Sequence, residues 1–421
     1  MLEERKEAQR RCNDAHIHRS QMSAHITSTE GPVLDPGATG RRRVAVVALH
    51  FAEYAVRLSE ALADKWEVLL ILYDQNVMNE LGQDWESRGE KANLKCLVLK
   101  KPRWPWNAIV NAWRLVKQIL RFAPDVIHYQ ENPRDEIVLT LPFLWMYPKV
   151  MTIHDPAPHK GTDENRLRFS RYRWYLPWAR RSADLALVHG EALAGELVQV
   201  APWLHTKVRT VAHGPLGPEE AMLTEEVPPR GMRLLFFGRM HEYKGLEYFI
   251  EAVLRLRAEG HPVTGVVAGR GDDLGRHLTR MKTSGCFEVI DRYIAASEVP
   301  PLFRGARVVV LPYVEGTQSG VAAMAIGYGR PVVASAVGAI PLLVRDRING
   351  LLVPPKDVVS LTNAVRSLLL DDVLWTRLAD GAGALRNGEL SWRSIADTCE
   401  LVYAEARELR HGLTGKLALR R

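Results

Sequence analysis

Unbroken apolar runs alternate with amphipathic stretches along most of the chain. VAVVALH (44–50) is rich in β-branched residues and has no polar break before His50, as expected of a strand buried on both faces of a parallel sheet. AEYAVRLSEALADK (52–65) has apolar residues at helical spacing, and WEVLLILY (66–73) predicts a second strand. Further strands are expected at CLVLK (96–100), DVIHYQ (125–130), KVMTIHD (149–155), DLALVHG (184–190) and KVRTVAHG (207–214). Helical spacing recurs in WNAIVNAWRLVKQILRF (106–122) and RLRFSRYRWYLPWARRSA. A loop rich in Pro, Gly and Glu (215–231) then interrupts the alternation and marks a domain boundary.

The pattern restarts at RLLFFGR (233–239). Strands are expected at VTGVVAGRG (263–271), FEVIDR (287–292), RVVVLPY (307–313), PVVAS (331–335) and GLLVPP (350–355). Helices are expected over 245–258, 296–305 and 319–329, and WRSIADTCELVYAEARELR (392–410) predicts a long last helix. The predicted fold class is therefore α/β, with two doubly wound Rossmann-like domains facing a central cleft. The expected domains are a disordered tail over 1–42, a first Rossmann-like domain over 43–220 and a second over 221–390. The last helix with its basic tail, 391–421, is expected to pack back toward the first domain.

Length and composition agree with this division. A chain of 421 residues suits two such domains, and 47% hydrophobic residues supply both cores without disulfides. Four scattered cysteines, Cys12, Cys96, Cys286 and Cys399, have no metal-ligand spacing and read as reduced thiols of a cytoplasmic protein. The first twenty residues hold no apolar core of a signal peptide, and no apolar run approaches a membrane span. A net charge of +7 points to anionic partners. No nucleic-acid-reading motif accompanies it, so phosphorylated substrates or an anionic membrane surface are the expected ones.

The stretch PYVEGTQSGVAAMAIGYGRPVVAS (312–335) leads from a strand through small residues into a helix beginning near Ser319. Free N–H groups and the dipole at such a helix start bind phosphate. Gly316 and Gly320 admit close backbone approach, and Thr317 and Ser319 add hydroxyls. LLFFGRMHEYKGLEYFIEAV (234–253) places Arg239 and Lys244 in the loop after another strand, where two cations suit a diphosphate.

FGRMHEYKGLEYFIEAV, VVAGRGDD, RVVVLPYVEGTQSGVAAMAIGYGRPVVASAVGAIPLLV and NGLLVPP together resemble the C-terminal half of the retaining GT-B glycosyltransferases of family 4, of bacterial polysaccharide or lipid-linked oligosaccharide type. The first half agrees more loosely, through DVIHYQ, MTIHDPAPH and DLALVHG. The resemblance implies a nucleotide-diphosphate sugar donor in the second domain and a glycan or lipid-linked acceptor on the first. It implies that Arg239 and Lys244 neutralise the diphosphate, and that His154 contacts the transferred sugar. Gly238, Gly269, Gly316, Thr317, Gln318, Ser319, Gly320 and Val321 complete the expected donor site. His50, Glu53, His128, Asp155 and His159 are the expected acceptor-side residues. No metal and no cofactor is implied, since the donor's own phosphate oxygen takes the acceptor proton in the family's front-face chemistry.

The family's Glu-x7-Glu pattern is incomplete here. Counting from Glu315 puts Ala323 at the second position, whereas counting back from Gly329 and Pro331 puts Met324 there and Gly316 at the first. Neither register yields two carboxylates, so a non-catalytic binding partner stays open as another reading, as does a sugar-nucleotide epimerase, which shares the architecture. A dinucleotide site at GRGDDL (269–274) is disfavoured by Leu274 at the third glycine position. KKPRWPWNAIVNAWRLVKQILRF mixes Trp104, Trp106 and Trp113 with six cations, a composition suited to the cytoplasmic face of an anionic membrane.

Overall fold

The structure, a computed structural model, describes residues 40–82, 85, 91–131, 135–157, 172–217, 231–316 and 319–418. The predicted tail lies outside the described residues except at its last three positions, as do residues 218–230 of the boundary loop, Thr317, Gln318 and His159.

The apolar runs form two all-parallel sheets. The first contains β1 (Arg43–Ala48), β2 (Glu67–Tyr73), β3 (Leu94–Leu99), β4 (Val126–Gln130), β5 (Lys149–Thr152), β6 (Leu185–Val188) and β7 (Val208–Thr210), in the order β3-β2-β1-β4-β5-β6-β7. The second contains β8 (Arg233–Phe237), β9 (Thr264–Ala268), β10 (Phe287–Ile290), β11 (Val308–Leu311), β12 (Val332–Ser335) and β13 (Gly350–Val353), in the order β10-β9-β8-β11-β12-β13. Both are Rossmann-like, with the strand order reversing between β1 and β4 and between β8 and β11. Val44 to Ala48 are wholly buried because helices cover both faces of the sheet, which is why β1 shows no alternation.

Each sheet has a hydrophobic core on either side. One of these cores draws on distant sequence. Ile395, Ala396, Cys399, Val402, Tyr403 and Ala406 of the helix Trp392–Ala418 pack with Val44, Val46, Leu58, Leu62 and Leu70 beneath the first sheet. The last helix thus completes the core of the first half. Trp392 at its start donates from Nε1 to the Pro215 carbonyl at 2.9 Å, tying the helix to the segment between the sheets. Lys65 pairs with Asp397 at 2.6 Å on the outside of the same packing.

His128 shows how closely this helix is fitted. It sits on β4 with no exposure, Nδ1 2.6 Å from the Tyr403 hydroxyl and Nε2 2.7 Å from Thr152 Oγ1. Burial pushes its pKa down to about 3, so it is neutral in the core. The Tyr403→Phe variant keeps the ring and leaves Nδ1 without its partner. We expect it to cost about 1–2 kcal/mol by urea denaturation, and an unchanged midpoint would mean that the bond contributes nothing to the docking of the helix.

Candidate functional site

A cavity of about 400 Å³ lies at the carboxyl ends of the strands, lined by residues from both sheets. Its second-sheet wall starts where β8 ends. Gly238 (φ 105°) and Gly269 (φ 140°) bring two strand ends together, and a Cβ at Gly269 would come 1.9 Å from the Gly238 carbonyl oxygen. After Gly238 the chain passes Arg239 and makes a short 3-10 turn, Glu242–Lys244. Gly245 (φ 70°) closes that turn against Pro312, with room for no side chain, and Val314 N–H donates to the Tyr243 carbonyl at 2.8 Å. These contacts fix the Lys244 turn to the segment after β11.

Lys244 is 7% exposed, with Nζ beside Gly238 and 5.3 Å from the Tyr313 ring centroid. Among the described residues, no carboxylate lies within ion-pair distance of Lys244 or Arg239. Burial lowers the Lys244 pKa to about 8, with Tyr243 acting against the shift and Arg239 adding to it. Opposite stands the helix Gly320–Gly327. Ser319 caps it, Oγ accepting from Ala322 N–H at 3.2 Å and lying 3.3 Å from the Tyr313 hydroxyl. The N–H groups of Gly320 and Val321, both on the cavity wall, precede the helix ladder. Among the described residues neither cation has a counter-ion, and buried Lys244, exposed Arg239 and the helix N-terminus together make a positive wall suited to an anion.

The first sheet contributes Phe51, Glu53, Tyr54, Asn79, Glu80 and Asp155. The Glu53 carboxylate accepts from Gly217 N–H, and its own N–H donates to Glu80 Oε2 at 3.0 Å. Tyr293, from beyond β10, donates its hydroxyl to the Asn79 carbonyl across the cavity mouth.

Several expected residues stand elsewhere. His128 is a core residue and does not face the cavity. His154 is 2% exposed, behind Phe51, whose ring centroid lies 4.0 Å away. Its Nε2 lies 2.8 Å from Gln130 Oε1 and its Nδ1 3.1 Å from His189 Nε2, so both ring nitrogens are engaged. Phe51, left-handed at φ 57°, is what separates it from the cavity. His50 is exposed, stacked on Phe51 at 4.3 Å and 4.0 Å from Glu80. Glu315 is exposed, and neither it nor Gly316 is on the cavity wall. Of the two residues at the second position of the incomplete acidic pattern, Met324 lines the cavity and Ala323 is buried in the core.

The geometry now bears comparison with other proteins. Residues 52–214 match the model of "Glycosyltransferase Family 4", and residues 231–371 match that of "Glycosyl transferases group 1". The chain belongs to the GT-B glycosyltransferases of family 4. It is a transferase. It is 26% identical to a D-inositol 3-phosphate glycosyltransferase of Corynebacterium aurimucosum, over 68% of this chain and 72% of that one. It spans 40–45% of the length of four further relatives that are 30–32% identical to it. Among solved structures, Anabaena HepE in complex with UDP shares the fold at a TM-score of 0.63, with 16% identity over 86% of this chain and all of that one. WaaG, a glycosyltransferase involved in lipopolysaccharide biosynthesis, does so at 0.56, with 14% identity over 85% of this chain and 98% of that one.

Sequence reasoning passed over Glu80, Asn79 and Tyr293 on this wall. Glu80 ends the helix Asp74–Glu80 with no motif around it, and what makes it distinctive is tertiary. Burial lifts its pKa from 4.5 to about 7, with the Glu53 N–H opposing the shift. The folded protein therefore holds this proton more tightly than the unfolded chain does. The stability that comes from the proton is complete below about pH 4.5 and is lost as pH rises through 7. Glu80→Gln keeps the neutral form at every pH. Its melting temperature is expected to exceed the wild type's by a few degrees at pH 8.5 and to match it at pH 4.5. An equal effect at both values would show that Glu80 titrates normally.

Proposed function

We propose that the protein moves a sugar, with retention of anomeric configuration, from a nucleotide-diphosphate sugar to a glycan or lipid-linked acceptor in cell-surface polysaccharide biosynthesis. The observation that carries this reading is the pair Arg239 and Lys244, with no counter-ion among the described residues, lining one cavity with the N-terminus of the helix Gly320–Gly327. HepE has been solved with UDP and with UDP-glucose, which supports a uridine nucleotide as the first donor to try. The name of WaaG supports a polysaccharide or lipopolysaccharide setting.

The chemistry is assigned to the donor's own phosphate. The acceptor oxygen bonds to the anomeric carbon on the face from which the diphosphate leaves, and the acceptor proton passes to the departing phosphate oxygen. The protein positions both partners and stabilises the charge that grows on the diphosphate. Arg239, Lys244 and the N–H groups of Gly320 and Val321 do this without a metal at the diphosphate. Ser319 holds the helix start in place, and Gly238 and Gly269 bring the backbone close. Glu315 and Gly316 come shortly before Ser319, and Thr317 and Gln318 are assigned to the donor site by sequence. With Met324 in place of a carboxylate, the ribose is met by an apolar wall. Asp155, Glu53 and Glu80 are the carboxyl groups that reach an acceptor hydroxyl from the first sheet. His50 stands beside their mouth and His159 is assigned to the same side by sequence, whereas His154, behind Phe51, is given no contact with the sugar.

The acceptor is assigned to a membrane surface at its cytoplasmic face. The helix Pro105–Phe122 buries Ala112, Leu115, Val116 and Ile119 and turns Trp106, Ile109, Val110 and Trp113 outward, at 48–63% exposure. Arg114, Lys117 and Arg121 share the outward side. An exposed aromatic and cationic face suits anionic lipid. Among the described residues no helix is long and apolar enough to cross a membrane.

UDP binding tests the donor site. Arg239→Ala and Lys244→Ala are each expected to weaken it about 10-fold or more, at about 1.5–3 kcal/mol per charge-assisted contact, and to lower transfer from UDP-glucose about 100-fold or more. Lys244 adds a pH signature. An anion raises its pKa from about 8, so affinity should be level from pH 7 to 8 and fall as pH rises above that. Lys244→Arg should lose this fall. Full transfer by either alanine variant would remove the assignment. For the surface, sedimentation with phosphatidylcholine vesicles containing phosphatidylglycerol should capture the protein. The Trp106→Ala, Trp113→Ala double variant should bind about 10-fold less while keeping its UDP affinity. Equal capture by pure phosphatidylcholine would reject the charge component.

A further inference from the structure

The helix Gly320–Gly327 carries no polar side chain, and every residue in it except Gly320 and Met324 is buried. Those two stand one turn apart, about 6 Å along the axis at about 1.5 Å per residue. Both line the main cavity, together with Val321. The start of this helix face meets the diphosphate in the donor site proposed above, and the inference rests on that reading. Met324 then meets the unit of the donor bonded next to the diphosphate. The transferred sugar has to face the first sheet, where the acceptor enters. The unit beside Met324 is therefore the nucleoside, whose base finds the apolar side chains of Phe237, Ile294 and Val299 on the same wall.

We infer that this pocket does not select for the ribose 2′-hydroxyl, and that it holds 2′-deoxyribonucleoside diphosphates and their sugars about as tightly as the ribonucleotides.

A hydroxyl both donates and accepts, and a pocket that selects for one supplies an acceptor for its proton. Among the described residues, the second-sheet wall of the cavity has no carboxylate and no amide side chain. Its charged side chains are Arg239, Lys244, Arg270 and Arg292, which only donate. Glu298 is not on the wall, and its two oxygens accept from the Arg292 guanidinium at 2.6 and 2.7 Å. Three hydroxyls of the wall are engaged within the protein. Tyr313 and Ser319 face each other at 3.3 Å, Ser319 Oγ also accepts from Ala322 N–H, and Tyr293 donates to the Asn79 carbonyl. The carboxyl groups of the cavity, Glu53, Glu80 and Asp155, all stand on the opposite wall.

Met324 adds a thioether, a weak acceptor on a flexible apolar side chain. It packs against a sugar ring whether or not the ring carries the hydroxyl. When the hydroxyl is absent, no buried polar group of this wall loses a partner, so no penalty arises. A site built to pair a substrate hydroxyl behaves oppositely, because the analogue lacking it leaves the site's own polar groups unpaired.

The test is calorimetric binding of UDP, GDP and ADP, and of their 2′-deoxy counterparts, to the full chain. For the base that binds, the dissociation constants of the two forms should agree within about 5-fold. Met324→Glu puts a carboxylate on the same helix face. Repulsion from the diphosphate weakens both forms alike, so the ratio of the two constants isolates the contact with the hydroxyl. That ratio should shift by about 10-fold or more in favour of the ribonucleotide. If this variant fails to fold, the comparison in the unaltered chain decides. A larger deficit of the deoxy form in the unaltered chain would overturn the inference and leave the donor reading standing. An unchanged ratio in folded Met324→Glu would overturn it as well, by removing Met324 from the ribose. Binding of none of the nucleotides would bring down the donor reading and this inference together.

Discussion

Every strand of both sheets runs parallel to its neighbours, and most of what this molecule can do follows from that constraint. Parallel strands need a crossover between each pair, so all carboxyl ends emerge on one edge and all amino ends on the other. Residues far apart in sequence meet there. Glu53, Glu80 and Asp155 follow different strands of the first sheet and line one cavity. Arg239, Lys244 and Ser319 follow β8 and β11, the two strands that flank the reversal of order in the second sheet. An open sheet binds its ligand at such a reversal because the loops on either side part there.

Electrostatics then separates the two walls. Lys244 is buried with no counter-ion among the described residues, a costly arrangement. Its cost is relieved when an anion arrives, so part of the binding energy is stored in the empty state. The opposite wall carries carboxyls, and one of them, Glu80, is kept near neutrality by burial. The two walls of the cavity therefore differ in charge, cationic on the second-sheet side and carboxyl-bearing on the first.

The fold was largely legible in the sequence, because a parallel strand covered on both faces must be an unbroken apolar run. VAVVALH, WEVLLILY and RVVVLPY all became strands within a residue or two of the expected bounds. That Arg239, Lys244 and Ser319 line the cavity was legible for a related reason, since a polar residue just past such a run lies at the carboxyl edge of the sheet. The same rule misplaced His128 and His154. His154 follows an apolar strand, as a site residue would, but Phe51 covers it, and His128 lies within β4, bonded to Tyr403 from the last helix. Nothing local distinguishes them from His50, which is exposed. The missing carboxylate also needed the structure. Ala323 and Met324 are adjacent, and only the facing of the helix Gly320–Gly327 shows which of them looks into the cavity.

The last helix has a bearing on how the molecule comes to be made. Lys65 and Asp397, which meet on its surface, are 332 residues apart. A ribosome delivers the first seven strands long before the helix that seals them. Until then Leu58, Leu62, Val44 and Leu70 have an open side, and the early half is an unfinished core exposed to the cell. Domains made first usually fold first. Here the earlier half must wait for the later one, so its folding is paced by synthesis of the whole chain and by any chaperone that shields the gap.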